Sequence, residues 1–355
     1  MNIKPLIPLL IVACALIACN KEIEEPLTEL DQNNPTAWLL NEGVWNGNDA
    51  ELSRVDLQTG DIINNYFETT NHRRLGDVAQ DVLCYGSRLY IAMFGSAVIH
   101  VIDANSGILT KTIDLHGNGA RYMATHEGKI YVSCYVPNAI AVIDTASLDL
   151  ETMVSLQDFR PEGIIVCNKQ LYVCSAWRYA SNGSITYDNK VYQLSLPDLE
   201  IQNTYTVGLN PNLIRRLDSN KLAVACWGNY GKEQSSIAII NTTSHNITTI
   251  ATQATQIDTY KGDIYTIYYD YYSTTPTQIK RIDGNTLKAE DIMTDVAKQL
   301  NNPYHLTIDP HSGNYYITDA QNFLANGDIY CVSPDGIIRW KSEATMGPSS
   351  MAFLK

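Results

Sequence analysis

Aromatic side chains recur at one position along this 355-residue chain. Short apolar, β-branched runs close with Phe94, Tyr135, Trp227 and Tyr269, and a further run closes with Ala176 followed by Trp177. Longer connections add Trp45, Tyr179, Tyr230, Tyr271, Tyr272 and Phe323. Rings repeated at equivalent places can line a mouth on which a planar ligand or a sugar stacks, or can shield that mouth and pack between repeats. Other connections carry Arg73, Arg74, Asp77, Arg121, Arg160, Asn210, Asn212, Asn302 and His305. Such groups hold amides, carboxylates or a phosphate by hydrogen bonds, or stay solvated and bridge repeats. The candidate ligand-binding set is Trp45, Phe94, Arg121, Tyr135, Trp177, Tyr179, Trp227, Tyr230, Tyr269 and Phe323.

Catalytic patterns are absent from the sequence. It has no nucleophile elbow, HExxH, P-loop or dinucleotide fingerprint. Its seven His residues are scattered without metal-ligand spacing. His100 lies within a strand-like run and reads as a packed core residue. His72, His116 and His305 fall on connections of one face, where three imidazoles can meet a metal or one that a ligand brings. Glu42, Asp77, Glu162 and Asp319 are the carboxylates for a hydrolase or lyase reading, which needs a pair or a metal in one mouth. The chain therefore reads as a binding protein that needs no cofactor of its own, not as an enzyme.

The elements that must position these residues repeat. Residues 122–150 read as four short strands, with a turn at Glu127-Gly128, a wider loop at 135–138 and a turn at 145–147. A four-stranded unit of this size cannot bury both faces alone. Similar units occupy 83–109, 161–201, 211–247, 255–289 and 303–340. A seventh is split. Residues 37–67 supply second, third and fourth strands, and 347–355 supply a first strand with nothing after it. Periods of about 40–50 residues with four strands each define a β-propeller. The expectation is an all-β, seven-bladed β-propeller of four-stranded blades, its closing blade built from both termini. The only helical segment expected is a turn or two within 289–300.

In this architecture the second-to-third-strand links and the blade-to-blade links open on one face. Second-to-third links are short after Phe94 and Tyr135 but long at 177–188, 227–234, 269–276 and 320–327. Opposite-face turns stay tight, so function belongs to the long-loop face.

Composition bounds the partners. Net charge is −13, and removal of a signal segment with Lys4 takes Lys+Arg from 25 to 24, giving 24 − 38 = −14. That balance argues against nucleic-acid binding. Lys4 precedes an apolar run too short to span a bilayer, ending in Leu16-Ile17-Ala18-Cys19. It looks like a lipobox, so residues 1–18 read as a signal peptide, Cys19 as the lipidation site, 19–34 as a tether and 35–355 as one propeller. Multiple acyl chains at Cys19 would hold the chain on a membrane. Apart from Cys14 and Cys19, six cysteines fall in or beside strand-like runs without CxxC spacing, as small buried hydrophobes; a disulfide remains open outside the cytoplasm.

Residues 41–56 (NEGVWNGNDAELSRVD), 75–81 (LGDVAQD) and 303–320, followed by GDIYCVSPDG, carry a resemblance. They are similar to the YncE-like seven-bladed propellers of Bacteroidetes surface lipoproteins, and the acidic run after Cys19 resembles the surface-export signal of that group. The resemblance spans nearly the whole mature chain. It implies an outer-membrane lipoprotein facing the cell exterior. Through the BtuG type within the group, it implies capture of cobalamin or a related corrinoid and transfer to an outer-membrane TonB-dependent transporter. A protein- or glycan-binding scaffold, or a propeller hydrolase or lyase, is the alternative.

Overall fold

The computed structural model describes residues 30, 34–156, 159–180, 182–271 and 275–354. The expected signal peptide, Cys19, most of the tether, Tyr272 and the side chain of Tyr179 lie outside the described residues.

Seven antiparallel four-stranded sheets surround a central channel. Blade 2 shows the pattern, with strands Ala79–Tyr85, Arg88–Met93, Val98–Asp103 and Leu109–Asp114 from the channel outward. The channel-side strands of the other blades are Gly119–His126, Arg160–Cys167, Pro211–Arg216, Gln256–Tyr260, Pro303–Ile308 and Pro348–Phe353. Each touches the next around the ring. Blade 1 is composite: Pro348–Phe353 pairs with Thr36–Asn41, which pairs with Glu51–Asp56 and then Ile62–Ile63. The closing register sets Ala37 opposite Phe353, Trp38 opposite Ala352 and Leu39 opposite Met351.

Burial explains why the sheets stand on edge. Leu89, Tyr90, Ile91, Ala92 and Met93 on one second strand are all fully buried, although alternate residues face opposite sides of the sheet. Both faces of a blade are thus covered by neighbours, and seven apolar clusters fill the seven blade interfaces. His100 belongs to this core, bonded to Thr112 Oγ1 and the Leu75 carbonyl, each at 2.9 Å.

Turn chemistry fixes the outer hairpins. Asp56, Asp103, Asp144, Asn241 and Asp283 each accept the N–H groups two and three residues ahead, at 2.7–3.1 Å. The residue four positions on then takes positive φ, including Leu148 (60°) and Leu287 (59°). A left-handed Leu costs about 1–2 kcal/mol, which the Asx bonds offset.

Two elements depart from expectation. The fourth strand of blade 1, expected to close the run 37–67, stops at Ile63, and a short helix, Tyr66–Asn71, follows. Asn65 turns the chain at φ 54°, and the helix buries Phe67 while setting Tyr66 edge-on to Trp38 at 4.9 Å. The expected loop 177–188 is a strand extension. Gln170–Tyr179 pairs with Ile185–Ser195 and sets Trp177 opposite Tyr187, because aromatic and β-branched residues on both arms favour extended pairing. The short helix Thr294–Ala297 falls where a turn or two was expected.

Ring closure yields a first prediction. Truncation after Gly347 removes the channel strand of blade 1 and leaves Trp38, Leu39 and Leu40 without their cover. The truncated chain is expected to lose cooperative thermal unfolding, read by circular dichroism, and an unchanged melt would contradict this account.

Candidate functional site

All seven blades contribute to a cavity of about 500 Å³ at the channel mouth on the long-loop face. The third residue of the channel strand is Asp81, Arg121, Glu162, Leu213, Asp258, His305 and Ser350 in blades 2 to 7 and then 1. Six of those seven positions are polar. Blade 5 breaks the pattern with Leu213 and supplies Arg215 two residues on.

The guanidinium groups are committed to other protein groups. Arg121 donates through Nε to Glu162 Oε2 at 3.1 Å, its Nη2 lies 3.0 Å from the same oxygen, and Nη1 donates to Gln80. Its guanidinium also sits 5.3 Å from the Phe94 ring and 5.0 Å from Tyr135. Arg160 is sandwiched at 3.5 Å from Tyr135 and 3.8 Å from Trp177. Trp45 tilts onto Phe94 at 5.5 Å. Trp45, Phe94, Arg121, Tyr135, Arg160 and Trp177 therefore form one continuous stack across blades 1 to 4. Each cation–π step is worth about 0.5–2 kcal/mol.

Carboxylates clip the blades together around the channel. Asp81 accepts the Met123 N–H of blade 3 at 2.9 Å, and Asp258 accepts the Ile308 N–H of blade 7 at 2.8 Å. Arg215 lies 3.7 Å from Asp258. Tyr304 donates its hydroxyl to Glu42. Burial pushes the Asp81 carboxyl up to about 7 and raises Glu42, Glu162 and Asp258 as well. Burial, reinforced by Arg215, pushes His305 down to about 3, so its imidazole is neutral.

The sequence-selected residues separate into three groups. Trp45, Phe94, Arg121, Tyr135 and Trp177 meet in the stack, with Tyr135 buried inside it. Trp227, Tyr230 and Tyr269 line a second recess of about 340 Å³, whose wall at Trp227 is shared with the central cavity. Trp227 is anchored there by its Nε1 donating to the Thr255 carbonyl at 3.0 Å. Phe323 lies outside both groups and packs edge-on at 5.1 Å against Tyr304, which lines the central cavity. Of the candidate carboxylates, Asp319 is fully buried and accepts the N–H groups of Asn301, Asn302 and Gln321, which makes it part of a blade link. Glu162 is engaged by Arg121, Asp77 lies outside the cavity lining, and Glu42 reaches the cavity.

The imidazoles do not converge. His72 and His116 are exposed while His305 lines the cavity, and among the described residues no group of three His, Cys, Asp or Glu side chains is placed to hold a metal ion. The six propeller cysteines are free thiols, five of them buried. Sequence reading missed Asp81, Arg215, Asp258 and Tyr304. For Asp81 and Asp258 the signal was a polar residue at the third position of the first strand in six of the seven units; Arg215 and Tyr304 fall outside that pattern.

Fold and channel together define a seven-bladed β-propeller with a charged mouth. A 6-phosphogluconolactonase candidate from Bacteroides fragilis has a TM-score of 0.66 at 11% identity, over 92% of this chain and 100% of that one. A quinonprotein alcohol dehydrogenase-like protein from Bacteroides thetaiotaomicron gives 0.63 at 13% identity, over 89% and 77%. Apo AztD from Citrobacter koseri gives 0.56 at 9%, over 90% and 98%. At such identities the likeness is one of fold. No protein-family model matches the chain, and no curated protein matches it in sequence.

Titration of Asp81 supplies a prediction. Its unfolded carboxyl loses its proton near pH 4, and the folded one near 7. Between these values the native state holds a proton that the unfolded state has lost, so stability falls as pH rises from about 4 to 7. Asp81→Asn does not titrate. Denaturant melts at pH 4, 6 and 8 are expected to show wild type losing stability relative to the variant as pH rises, and parallel profiles would contradict this assignment.

Proposed function

We propose that this chain is a lipid-anchored surface propeller of the YncE-like, BtuG type. In this reading it captures cobalamin or a related corrinoid on its long-loop face and passes it to an outer-membrane TonB-dependent transporter. One observation carries the binding face. Eleven large apolar side chains are exposed among the described residues; six of them, Trp45, Val136, Tyr230, Tyr271, Phe323 and Leu324, lie on second-to-third-strand connections, and two more, Ile185 and Tyr187, lie on the extended hairpin of blade 4 on the same face. The other three, Ile108, Ile201 and Ile337, lie on the opposite face. Exposed apolar surface gathered on one face marks a site of interaction.

Local strain supports the same face. Tyr230 and Phe323 are held at φ 56° and 61°, a conformation that bulky residues rarely adopt without a constraint or a use. The corrinoid reading follows from shape and chemistry. A broad conjugated macrocycle with peripheral amides suits a rim of rings beside Gln80, Gln256 and Arg121.

Isothermal titration of the full chain with cobalamin is the test. Binding at micromolar Kd or tighter is expected. Trp45→Ala combined with Tyr230→Ala should weaken it by about 10-fold or more, at roughly 1.4 kcal/mol per tenfold. Thermal stability should change little, since both side chains are more than half exposed. Absence of binding at micromolar cobalamin would remove the corrinoid from the proposal. Anchoring is tested separately: Cys19→Ala is expected to move the chain from the membrane fraction to the soluble one.

A further inference from the structure

Below the aromatic rim, the channel cavity has a surplus of negative charge. Glu42, Asp81 and Asp258 line it with Arg121 and Arg215, and Glu162 stands behind Arg121 as its ion-pair partner, so with all six ionised the balance is 2 − 4 = −2. Each arginine charge is matched by a carboxylate: Arg121 is held by Glu162 and Gln80, and Arg215 lies 3.7 Å from Asp258. The lining therefore carries no net positive charge for a phosphate or a carboxylate.

Two unpartnered polar atoms add acceptor sites. Ser350, the third residue of its channel strand, is 7% exposed, and its hydroxyl has no hydrogen-bond partner. The side-chain carbonyl oxygen of Gln256 is also buried without a partner. Both residues line the cavity, and both atoms can accept a proton donor. The carboxylates belong to blades 1, 2, 4 and 6 and are too dispersed for three to hold a metal ion. A wall of this kind fits a ligand that spreads positive charge and N–H donors over several bonds.

We propose that the channel cavity binds a small organic cation of the protonated amine class, held by Glu42 and the dispersed carboxylates and by the acceptors of Ser350 and Gln256. This inference does not rest on the corrinoid reading: its contacts are the channel carboxylates, although Gln256 and Arg121 serve both, and the diamine and cobalamin titrations are read independently. Electrostatics supports it: burial holds these carboxyls above their ordinary range, and an incoming cation relieves that cost. Asp81 faces Arg121, Tyr122 and Arg215, with Glu162 beyond Arg121, so no lysine or further arginine on these walls competes for the site. Binding near neutral pH therefore releases protons.

Calorimetric titration of the full chain with 1,5-diaminopentane, myo-inositol and 6-phosphogluconate tests the proposal. The diamine is expected to bind saturably, with proton release seen as a dependence of the heat on buffer ionisation enthalpy. The neutral polyol and the anion are expected to bind at least about 10-fold more weakly. Glu42→Gln should weaken diamine binding by about 10-fold, the scale of a lost charge-assisted contact. Ser350→Ala should weaken it by about 3-fold and provides a second reading should Glu42→Gln unfold. The proposal is overturned by no saturable diamine binding below about 1 mM, by equal affinity for the polyol or the anion, or by wild-type affinity in a folded variant.

Discussion

Antiparallel pairing between Pro348–Phe353 and Thr36–Asn41 is the constraint on which the rest depends. A propeller blade is a sheet with two apolar faces, and neither face is covered until a neighbour stands on each side. Six blades formed in sequence order still leave two open faces and an unpaired edge. Joining strands more than 300 residues apart covers Trp38 and Leu40 on one side and Leu39 on the other. It also completes the four strands of blade 1, so that every blade of the ring has its channel strand. The channel diameter follows from closure at seven, and with it the distance from one wall residue to the next.

Within that ring the channel strands are held by charge as well as by apolar contact. Asp81 and Asp258 each reach across to a backbone N–H of the next blade, so the same carboxylates that line the cavity also join the blades. Desolvation works against their ionised forms, and the N–H bonds and nearby guanidiniums work for them. The outcome is a set of acids held above their usual range, which gives the cavity wall an electrostatic demand that no further protein cation fills.

The rim follows a different logic. Opposite-face hairpins are closed by Asx bonds and left-handed residues, leaving little room for insertion. Insertions therefore gather on the long-loop face, where the extended hairpin around Trp177 and Tyr187 and the tips at Tyr230 and Phe323 stand on rigid strands. Stacking of Arg121 and Arg160 between rings gives blades 1 to 4 a continuous, ordered wall. Blades 5 and 6 form a separate tyrosine-rich recess, divided from the channel by Trp227.

Local chemistry made much of this legible in the sequence alone. Alternating apolar runs, Asx-type turns and tight Gly turns repeat within a few residues of themselves, so strand number, the seven-fold repeat and the split closing blade could be read directly. The same locality explains the short fourth strand of blade 1, where Asn65 ends pairing that a simple repeat would extend. The tertiary structure alone decided which polar side chains meet. Arg121 and Glu162 are 41 residues apart, Asp258 and Ile308 are 50 apart, and Glu42 and Tyr304 are 262 apart. No local pattern encodes such pairs, because each is set by the angle and spacing at which closed blades face one another. The aromatic rim belongs to both levels: its residues were visible at the ends of second strands, but their division into a cation-bridged stack, a recess and a Phe323–Tyr304 pair came only with the ring.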